Sequence, residues 1–434
     1  MRRHGCRIAV VALAATLAFS ATSSARDLWE SEDGSRSFSL GTAIKGTAIS
    51  TVAPVNPPLT LVEDSFTSLW RLRLTLKLYA SENSRYELAY ENRVRLVSEG
   101  AGAAAGGGLL PATGEAPYRI DQLDEEIASS GTSYAHRHEI DRAYAAYDLA
   151  FGDRLGQLTI GRQSIGMGRG VFFGAIDMFA PFSPTEVDRE WRRGVDAVRL
   201  DLPLSDTVSC DLTGVFGETW EDSALLGRVR GYSMESGNDL GVVFGKRCED
   251  TVLGVSTSFT VGEASMYVDV AAFEIPEHGG DGQFLGLDNV TSKAVVGVSH
   301  KLFGGDGPTV MLEYHYSGFG VEDVADMPDP ILDADNVYFQ RLGRGDMQIA
   351  TQNAVAVQAQ WELSDAWSGG FAVIANPLDG SGVLQPALTW NFADNVTISM
   401  SGAITWGDEP VGLSLQSEYG SGVSSFYLQM SVYD

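Results

Sequence analysis

Beyond its first 25 residues, the 434-residue chain has no stretch approaching the ~18 consecutive apolar residues that a membrane-crossing helix needs, which excludes a helical membrane protein. Cysteine is nearly absent, with three residues in all. A scaffold built on disulfides is therefore excluded. Cys6 precedes the N-terminal apolar run, where it cannot be a lipid-anchored first residue, and only Cys210 and Cys248 remain for a possible single bridge. Positive charge is also scarce: 30 Lys and Arg face 57 Asp and Glu, a net charge of −27, so the chain as a whole is no binder of nucleic acid.

Catalytic patterns are missing too. There is no Gly-x-Ser-x-Gly elbow and no His-Glu-x-x-His, so an enzyme would lack a recognisable activated nucleophile or metal-bound water. His136 and His138 share one strand face and could bind a metal, but read better as polar residues near an external mouth. The acidic segments Asp121–Glu126 and Asp323–Asp335 lack the glycine-centred ligand spacing of a calcium loop and read as solvated loop. No metal and no cofactor is expected. The length alone suggests two or three soluble domains, yet no Pro-rich or charged linker divides the chain and no short-period repeat runs through it.

What is present begins with Arg2, Arg3 and Arg7, followed by an apolar run from Ile8 to Phe19 and the small residues Ser23, Ser24 and Ala25. This is the form of a secretory signal peptide over residues 1–25, with a mature chain starting near Arg26 as one domain over 26–434. Removing that segment deletes three arginines and no acid, which lowers the net charge from −27 to −30.

The mature sequence then repeats segments of about ten residues that alternate apolar and polar, separated by turn residues. From 70 to 79, Trp70, Leu72, Leu74, Leu76 and Leu78 share one parity, against Arg71, Arg73, Thr75, Lys77 and Tyr79. Successive side chains of a strand point to opposite faces, so one face is apolar and the other largely cationic. The next segment sets Tyr86, Leu88, Tyr90, Val94 and Leu96, with Asn92 the exception, against Arg85, Glu87, Glu91, Arg93 and Arg95.

A soluble sandwich would turn the apolar face inward, whereas a barrel in lipid would turn it outward. Alternation cannot separate the two. The number of such segments, the signal peptide and the aromatic residues near segment ends (Trp70, Tyr79, Phe151, Trp390 and Trp406) favour a transmembrane antiparallel β-barrel.

Strands are predicted near 36–46, 64–80, 84–98, 134–150, 156–164, 192–203, 207–216, 225–232, 239–248, 251–260, 265–275, 292–302, 309–318, 350–363, 367–376, 382–391, 395–405 and 422–433. That makes eighteen, an even number, with sixteen as the fallback. With both termini in the periplasm, the turns near 81–83, 204–206, 363–365 and 393–395 fall on the periplasmic side. The long segments 47–62, 99–131, 165–190, 276–291, 319–348 and 406–421 fall outside the cell. The last strand alternates Phe426, Leu428, Met430 and Val432 with Tyr427, Gln429, Ser431 and Tyr433, which suits recognition by the barrel-assembly machinery, although such strands usually end on an aromatic residue and this one ends on Asp434.

Residues 160–202 carry Ile-Gly-Arg-Gln-Ser-Ile-Gly-Met-Gly-Arg-Gly, then Asp177-Met-Phe-Ala-Pro-Phe, then Arg192-Arg-Gly-Val-Asp-Ala-Val-Arg-Leu-Asp-Leu. This stretch resembles one shared by Gram-negative outer-membrane porins of the alginate-export and related anion-selective groups. The resemblance implies an outer-membrane channel, not an enzyme, for passive diffusion of small hydrophilic or anionic solutes. It also implies contact with outer-membrane lipid and lipopolysaccharide, and homo-oligomers are common among such channels.

Within that stretch, 165–190 is the third external segment and the candidate for an inward-folding constriction loop, carrying Arg169, Asp177, Arg189 and Glu190. An ordinary surface loop is the plainer reading. Arg189, Arg192 and Arg193 flank its return beside Asp188 and Glu190, and could equally form a salt-bridge cluster at the rim. Of the 27 mature basic residues, 16 lie between 64 and 200. Arg71, Arg73, Lys77, Arg93, Arg95, Arg142 and Arg199 fall on the lumen parity and are the candidate anion path. They could instead be neutralised by facing carboxylates such as Glu87, Glu91, Asp148 and Asp201.

Arg162 shares its parity with Leu158 and Ile160, which points it at lipid unless the strand bulges or has ended. Cys210 and Cys248 fall at opposite heights in the eighteen-strand reading, and approach each other only if 239–248 runs beside 207–216. The rival classes are a barrel enzyme of lipase or protease type and a plugged structural or receptor barrel; the strand pattern begins too soon after residue 26 to leave room for a plug domain.

Overall fold

The computed structural model describes residues 26–52, 64–98, 117–130, 134–276, 290–328, 337–411 and 414–434. The predicted signal peptide, 1–25, lies outside the described residues.

Among the described residues, twenty strands form one antiparallel sheet. In chain order they are β1 (Arg26–Glu30), β2 (Ser37–Val52), β3 (Ser65–Ser81), β4 (Ser84–Val97), β5 (Asp124–Ser130), β6 (Tyr134–Phe151), β7 (Arg154–Gln163), β8 (Val195–Pro203), β9 (Val208–Phe216) and β10 (Ala224–Tyr232). They continue with β11 (Asp239–Arg247), β12 (Asp250–Val261), β13 (Ala264–Glu274), β14 (Val290–Lys301), β15 (Thr309–Ser317), β16 (Asn353–Ser364), β17 (Trp367–Ala375), β18 (Gly382–Ala393), β19 (Val396–Trp406) and β20 (Ser424–Tyr433). A short helix, α1 (Val337–Gly343), lies between β15 and β16.

Ala43 to Val52 of β2 pair with Tyr433 to Ser424 of β20, which closes the sheet into a ring of eighteen strands without a free edge. The ring omits only β1 and β5, which the alternation did not reveal because both are short local extensions. β1 prolongs the line of β20 along Ser37–Leu40, and β5 pairs with Tyr134–Glu139 of β6.

Why the ring stands in lipid follows from its faces. Leu78, Leu88, Ile160, Val198, Leu212, Leu225, Phe244, Leu253, Val270, Leu312, Phe371, Ile404 and Phe426 are exposed on the outside. Their alternate neighbours are buried and largely polar: Lys45, Arg71, Arg73, Glu91, Asp211, Asp269, Glu313 and Gln429 among them. Trp367 and Trp390 stack at 5.2 Å near the rim of short turns, with Phe392 set edge-on to Trp390, and Phe151 is exposed at the same level. That is the aromatic girdle expected where a barrel leaves the hydrocarbon. Tyr79, expected in the girdle, instead shares the inner face of Arg71, Arg73 and Lys77.

At one rim the connections are brief: 82–83, 152–153, 204–207, 233–238, 262–263, 302–308, 365–366 and 394–395. The other rim carries the long excursions 53–64, 98–133, 164–194, 275–289, 318–352 and 407–423. Cys210 lies within β9 opposite Leu202 and Val229, while Cys248 is in the tight β11–β12 connection at the long-loop rim; both are free.

Candidate functional site: the charged lumen

β7 ends at Gln163 and the chain re-enters the wall only at Val195. Between them it crosses the lumen. Arg169 and Gly170 donate backbone N–H bonds to Asp269 of β13, and Val171, Phe172 and Phe173 donate three in succession to the Glu313 carboxylate of β15 at 2.7, 3.0 and 2.8 Å. Tyr267 of β13 donates to the same carboxylate, and the Phe173 ring stacks on His315 at 4.6 Å. A buried carboxylate with this many donors is satisfied without a cation. The loop backbone is pulled close here: a Cβ on Gly170 would lie 1.8 Å from the Phe173 carbonyl oxygen, so only glycine fits.

The apolar side chains of the excursion then have somewhere to go. Ile165, Met167, Ile176, Met178 and Phe179 pack against Val215, Leu226, Val243 and Phe273, which face inward from β9, β10, β11 and β13. From the long connection 318–352, Gln348 reaches this loop: it accepts from Gly174 N and donates to the carbonyls of Phe172 and Phe182. Glu418, from the connection 407–423, in turn accepts from the backbone of Ala350 and Thr351 at 2.8 Å each.

Because the chain leaves the wall at Gln163, β6 would lose its partner above that level. Residues 117–130 fill the place. β5 pairs with the upper half of β6, and Asp196 N donates to the Tyr118 carbonyl. Arg162 fastens this patch. Its guanidinium donates to both carboxylate oxygens of Asp196, at 2.8 and 3.0 Å, and to the carbonyls of Asp121, Gln122 and Ile140. Gly161 has φ +116°, so the strand does deviate just before Arg162, but the side chain is buried beneath the 117–124 segment and serves neither lipid nor pore.

The cations of the opposite wall stand in register. Lys45 pairs with Arg71, Arg71 with Arg93, and Arg93 with Arg137, a row of four positive residues at one height across β2, β3, β4 and β6. Two residues lower, toward the short turns, Arg73, Glu91 and Glu139 form the next row. Like charges placed side by side repel, and the carboxylates of the second row offset this: Arg71 reaches Glu91 at 3.0 Å, Arg73 reaches it at 3.1 Å, and Arg93 bridges Glu91 and Glu139.

A bulge in β6, where Tyr90 faces Ile140 and Ala89 faces Arg142, turns Asp141 and Arg142 both inward. Asp141 therefore meets Arg73 at 2.9 Å, Arg142 at 2.7 Å and, from the patch, Arg119 at 3.4 Å.

The other candidates separate. Lys77 is exposed toward the short turns and Arg95 is half-buried toward the long loops; among the described residues neither has an ion pair within 4.0 Å. Arg199 bonds Asp211 at 2.6 Å and Asp201 at 3.3 Å. In the excursion, Arg169 meets Asp239 at 2.5 Å, Asp177 meets Arg192 at 2.7 Å, and Glu190 meets Lys45 at 2.6 Å. Arg189 is held by backbone carbonyls, those of Val171, Ser183, Pro184 and Glu186. Arg193 stands 3.9 Å from Glu139, and burial lowers its pKa to about 10.

Two cavities lie on the short-turn side of the excursion. One, of about 710 Å³, is walled by Arg169, Arg199, Arg228, Arg230 and Asp239. The other, of about 730 Å³, carries the uncharged polar groups Gln358, Gln360, Gln385, Thr389 and Ser401 beside two cations, Arg189 and Lys301, and three acids, Glu186, Asp306 and Glu362. A third, of about 600 Å³, opens among the long loops between Arg119, Gln340, Arg341 and Arg344.

Lys45, Arg228, Arg230, Arg119 and Trp191 were not singled out in the sequence. The parity of Arg228 and Arg230 in 225–232 could have marked two of them, but no pattern marks Arg119 or Trp191, whose places depend on where loops fold.

A ring of eighteen antiparallel strands, apolar outside and charged within, crossed by the connection after its fifth ring strand, decides the architecture. The fold is that of the outer-membrane porins. Acinetobacter baumannii OccAB4 superimposes with a TM-score of 0.53 at 11% identity, over 92% of this chain and 98% of that one. A. baumannii OccAB1 gives 0.53 at 8% identity, over 95% and 99%, and Pseudomonas aeruginosa OccK9 (OpdG) gives 0.52 at 10%, over 91% and 98%. At such identities the likeness is one of fold. No family model matches the chain, and no curated protein matches it in sequence.

Proposed function

We propose that this barrel stands in the outer membrane of a Gram-negative bacterium and works as a porin-like channel for passive diffusion of small hydrophilic, anionic solutes. The observation that carries the reading is the arginine-walled cavity of about 710 Å³ on the short-turn side of the inward loop. Arg199, Arg228 and Arg230 converge there on the buried Asp211, and Arg199 and Arg230 are also bonded to Asp201. Four guanidiniums, those of Arg169, Arg199, Arg228 and Arg230, line the cavity against the carboxylates of Asp206 and Asp239, with Asp201 and Asp211 bonded to the last three. Each guanidinium has five N–H donors, more than these pairs use, and rings of Arg are how pores favour anions. The likeness of fold to solved porins supports the channel, and the four arginines on the cavity's lining, with Asp211 buried beneath them, support the sign of its charge preference.

In this reading 164–194 is the constriction, and the solute passes beside it between the charged wall and the polar one. The loops of the other rim face outward from the cell, lipopolysaccharide surrounds them, and β20 is the strand read during assembly. The apolar packing of Ile165, Phe179 and their neighbours inside the ring favours, as a second reading, a lumen too narrow for steady conduction.

One experiment separates the two: single-channel conductance in a planar bilayer, with a salt gradient to read selectivity from the reversal potential. Discrete steps with anion preference are expected. A silent protein, correctly folded, would overturn the channel.

A further inference from the structure

Three wall residues converge on one carboxylate of the inward loop. Lys45 of β2 meets Asp188 Oδ1 at 2.7 Å, Arg71 of β3 meets Oδ2 at 2.8 Å, and the Gln429 amide of β20 approaches Oδ2 at 3.4 Å. The three strands are neighbours in the ring, and Lys45, Arg71 and Asp188 are almost wholly buried. One cation for each oxygen, with an amide beside them, is the way a free carboxylate is recognised.

The wall does not satisfy these donors by itself. Among the described residues, both carboxylates within 4.0 Å of Lys45 come from the loop, Asp188 at 2.7 Å and Glu190 at 2.6 Å. The one wall carboxylate that Arg71 reaches, Glu91, also serves Arg73 and Arg93. Trp191 follows directly. Its ring lies 4.2 Å from Lys45 Nζ and 5.2 and 5.0 Å from the guanidinium carbons of Arg71 and Arg73, which covers the same three cations. The segment 188–191 thus lays two carboxylates and an aromatic ring on a cationic surface that belongs to the barrel.

We propose that Lys45, Arg71 and Gln429 form a carboxylate-binding site in which Asp188 is a tethered resident, and that a permeating dicarboxylate displaces Asp188 and Glu190 from it. A tethered ligand competes through its effective concentration, so the loop sets how strongly a solute must bind to pass. Only solutes whose two carboxylates reproduce those of the loop exchange readily; a neutral solute of the same shape has nothing to offer the cations. The use of the site rests on the anion-channel reading, but the binding step does not require conduction.

Because Trp191 moves with Asp188, its fluorescence reports the exchange. The experiment uses the full chain refolded in detergent, titrated with succinate at constant ionic strength, with succinamide as the neutral control and Trp191→Phe to identify the signal among the eight tryptophans. Wild type is expected to respond to succinate alone. If Asp188 occupies the site nine-tenths of the time, Asp188→Asn lowers the succinate midpoint about tenfold, and Lys45→Gln removes the response.

An unchanged midpoint in Asp188→Asn, or an intact response in Lys45→Gln, overturns the proposal. Should Asp188→Asn fail to refold, judged by heat-modifiable mobility, the Lys45→Gln comparison decides alone. A succinate response in a protein that shows no bilayer conductance leaves the site standing and removes the channel. Conductance without the response does the reverse.

Discussion

Asp211 sits between Arg199 and Arg228, 2.6 Å from a nitrogen of the first and 2.8 Å from one of the second, with Arg230 at 3.3 Å. The carboxylate is 1% exposed, so it is a fixed counter-charge beneath the arginines rather than a competitor within the cavity. Removing it should strengthen the field that a passing anion meets. Asp211→Asn is expected to move the reversal potential further toward the chloride equilibrium value, and Arg199→Ala with Arg230→Ala to move it back past wild type. Equal selectivity in all of these would place the selective step elsewhere. Loss of the buried carboxylate should also destabilise the fold by about 3 kcal/mol, since the mostly buried Arg228 loses its carboxylate while Arg199 and Arg230 keep Asp201, which denaturant unfolding of Asp211→Asn would measure.

How much of this was legible in the sequence follows from the periodicity. A wall strand exposed to lipid on one face and to a wet lumen on the other must alternate, so Trp70 to Tyr79 announces its place in the ring by pattern alone. β5 carries no such mark: it pairs with β6, and Arg162 holds the Asp121–Gln122 stretch just before it. Alternation assigned Arg71, Arg73 and Arg93 to the lumen and set Glu91 there as a facing carboxylate, which bonds all three, but it could not name their partners from elsewhere in the chain. Asp188 arrives from a loop 117 residues away from Arg71, and a bulge turns the consecutive residues Asp141 and Arg142 inward together, which strict alternation does not allow. Contacts between a wall and an inward loop depend on the path of the loop, and no local pattern encodes that path.

Glu186, on the inward loop and lining the cavity of about 730 Å³, should make conduction depend on pH near neutrality. Burial raises its pKa from 4.5 to about 7, against the smaller opposing effects of a Ser183 N–H bond and the Arg189 charge. Below pH 4.5 the group is protonated in both folded and unfolded chains. Between 4.5 and about 7 the folded chain keeps a proton that the unfolded chain has released, so the stability of the fold falls as pH rises through that window, by up to about 3 kcal/mol, and levels off above it. Over the same window the cavity gains a negative charge. Anion preference measured at pH 5.5 is therefore expected to exceed that at pH 8, and Glu186→Gln to abolish the difference. An undiminished pH effect in that variant would assign the titration to another group.

Gly170 tests whether the position of the loop depends on its three amides at Glu313. A Cβ there collides with the Phe173 carbonyl, so Gly170→Ala must push apart the turn that presents Val171, Phe172 and Phe173 to the carboxylate. Overpacking of this kind typically costs about 1–3 kcal/mol. The expected result is a lower unfolding temperature and larger, noisier conductance steps, because the loop no longer holds one position. A Gly170→Ala protein with wild-type steps would show that the loop is positioned by its apolar packing instead.

Arg162 offers the sharpest separation of wall from pore. Its guanidinium joins the Asp196 carboxylate to the carbonyls of Asp121, Gln122 and Ile140, and it lines none of the three cavities described above. Arg162→Ala leaves Asp196 without its cation and takes one donor away from each of the carbonyls of Asp121, Gln122 and Ile140, a loss of about 3–5 kcal/mol for a buried pair broken on one side. Segment 117–130 should then detach from β6 and become open to protease added to the loop side of reconstituted vesicles. Ion selectivity in the surviving channels should stay as in wild type, since the lumen cations keep their partners. If selectivity changed while the patch remained protected, Arg162 would belong to the conduction path, and the division of labour between the fastened patch and the charged wall would have to be redrawn.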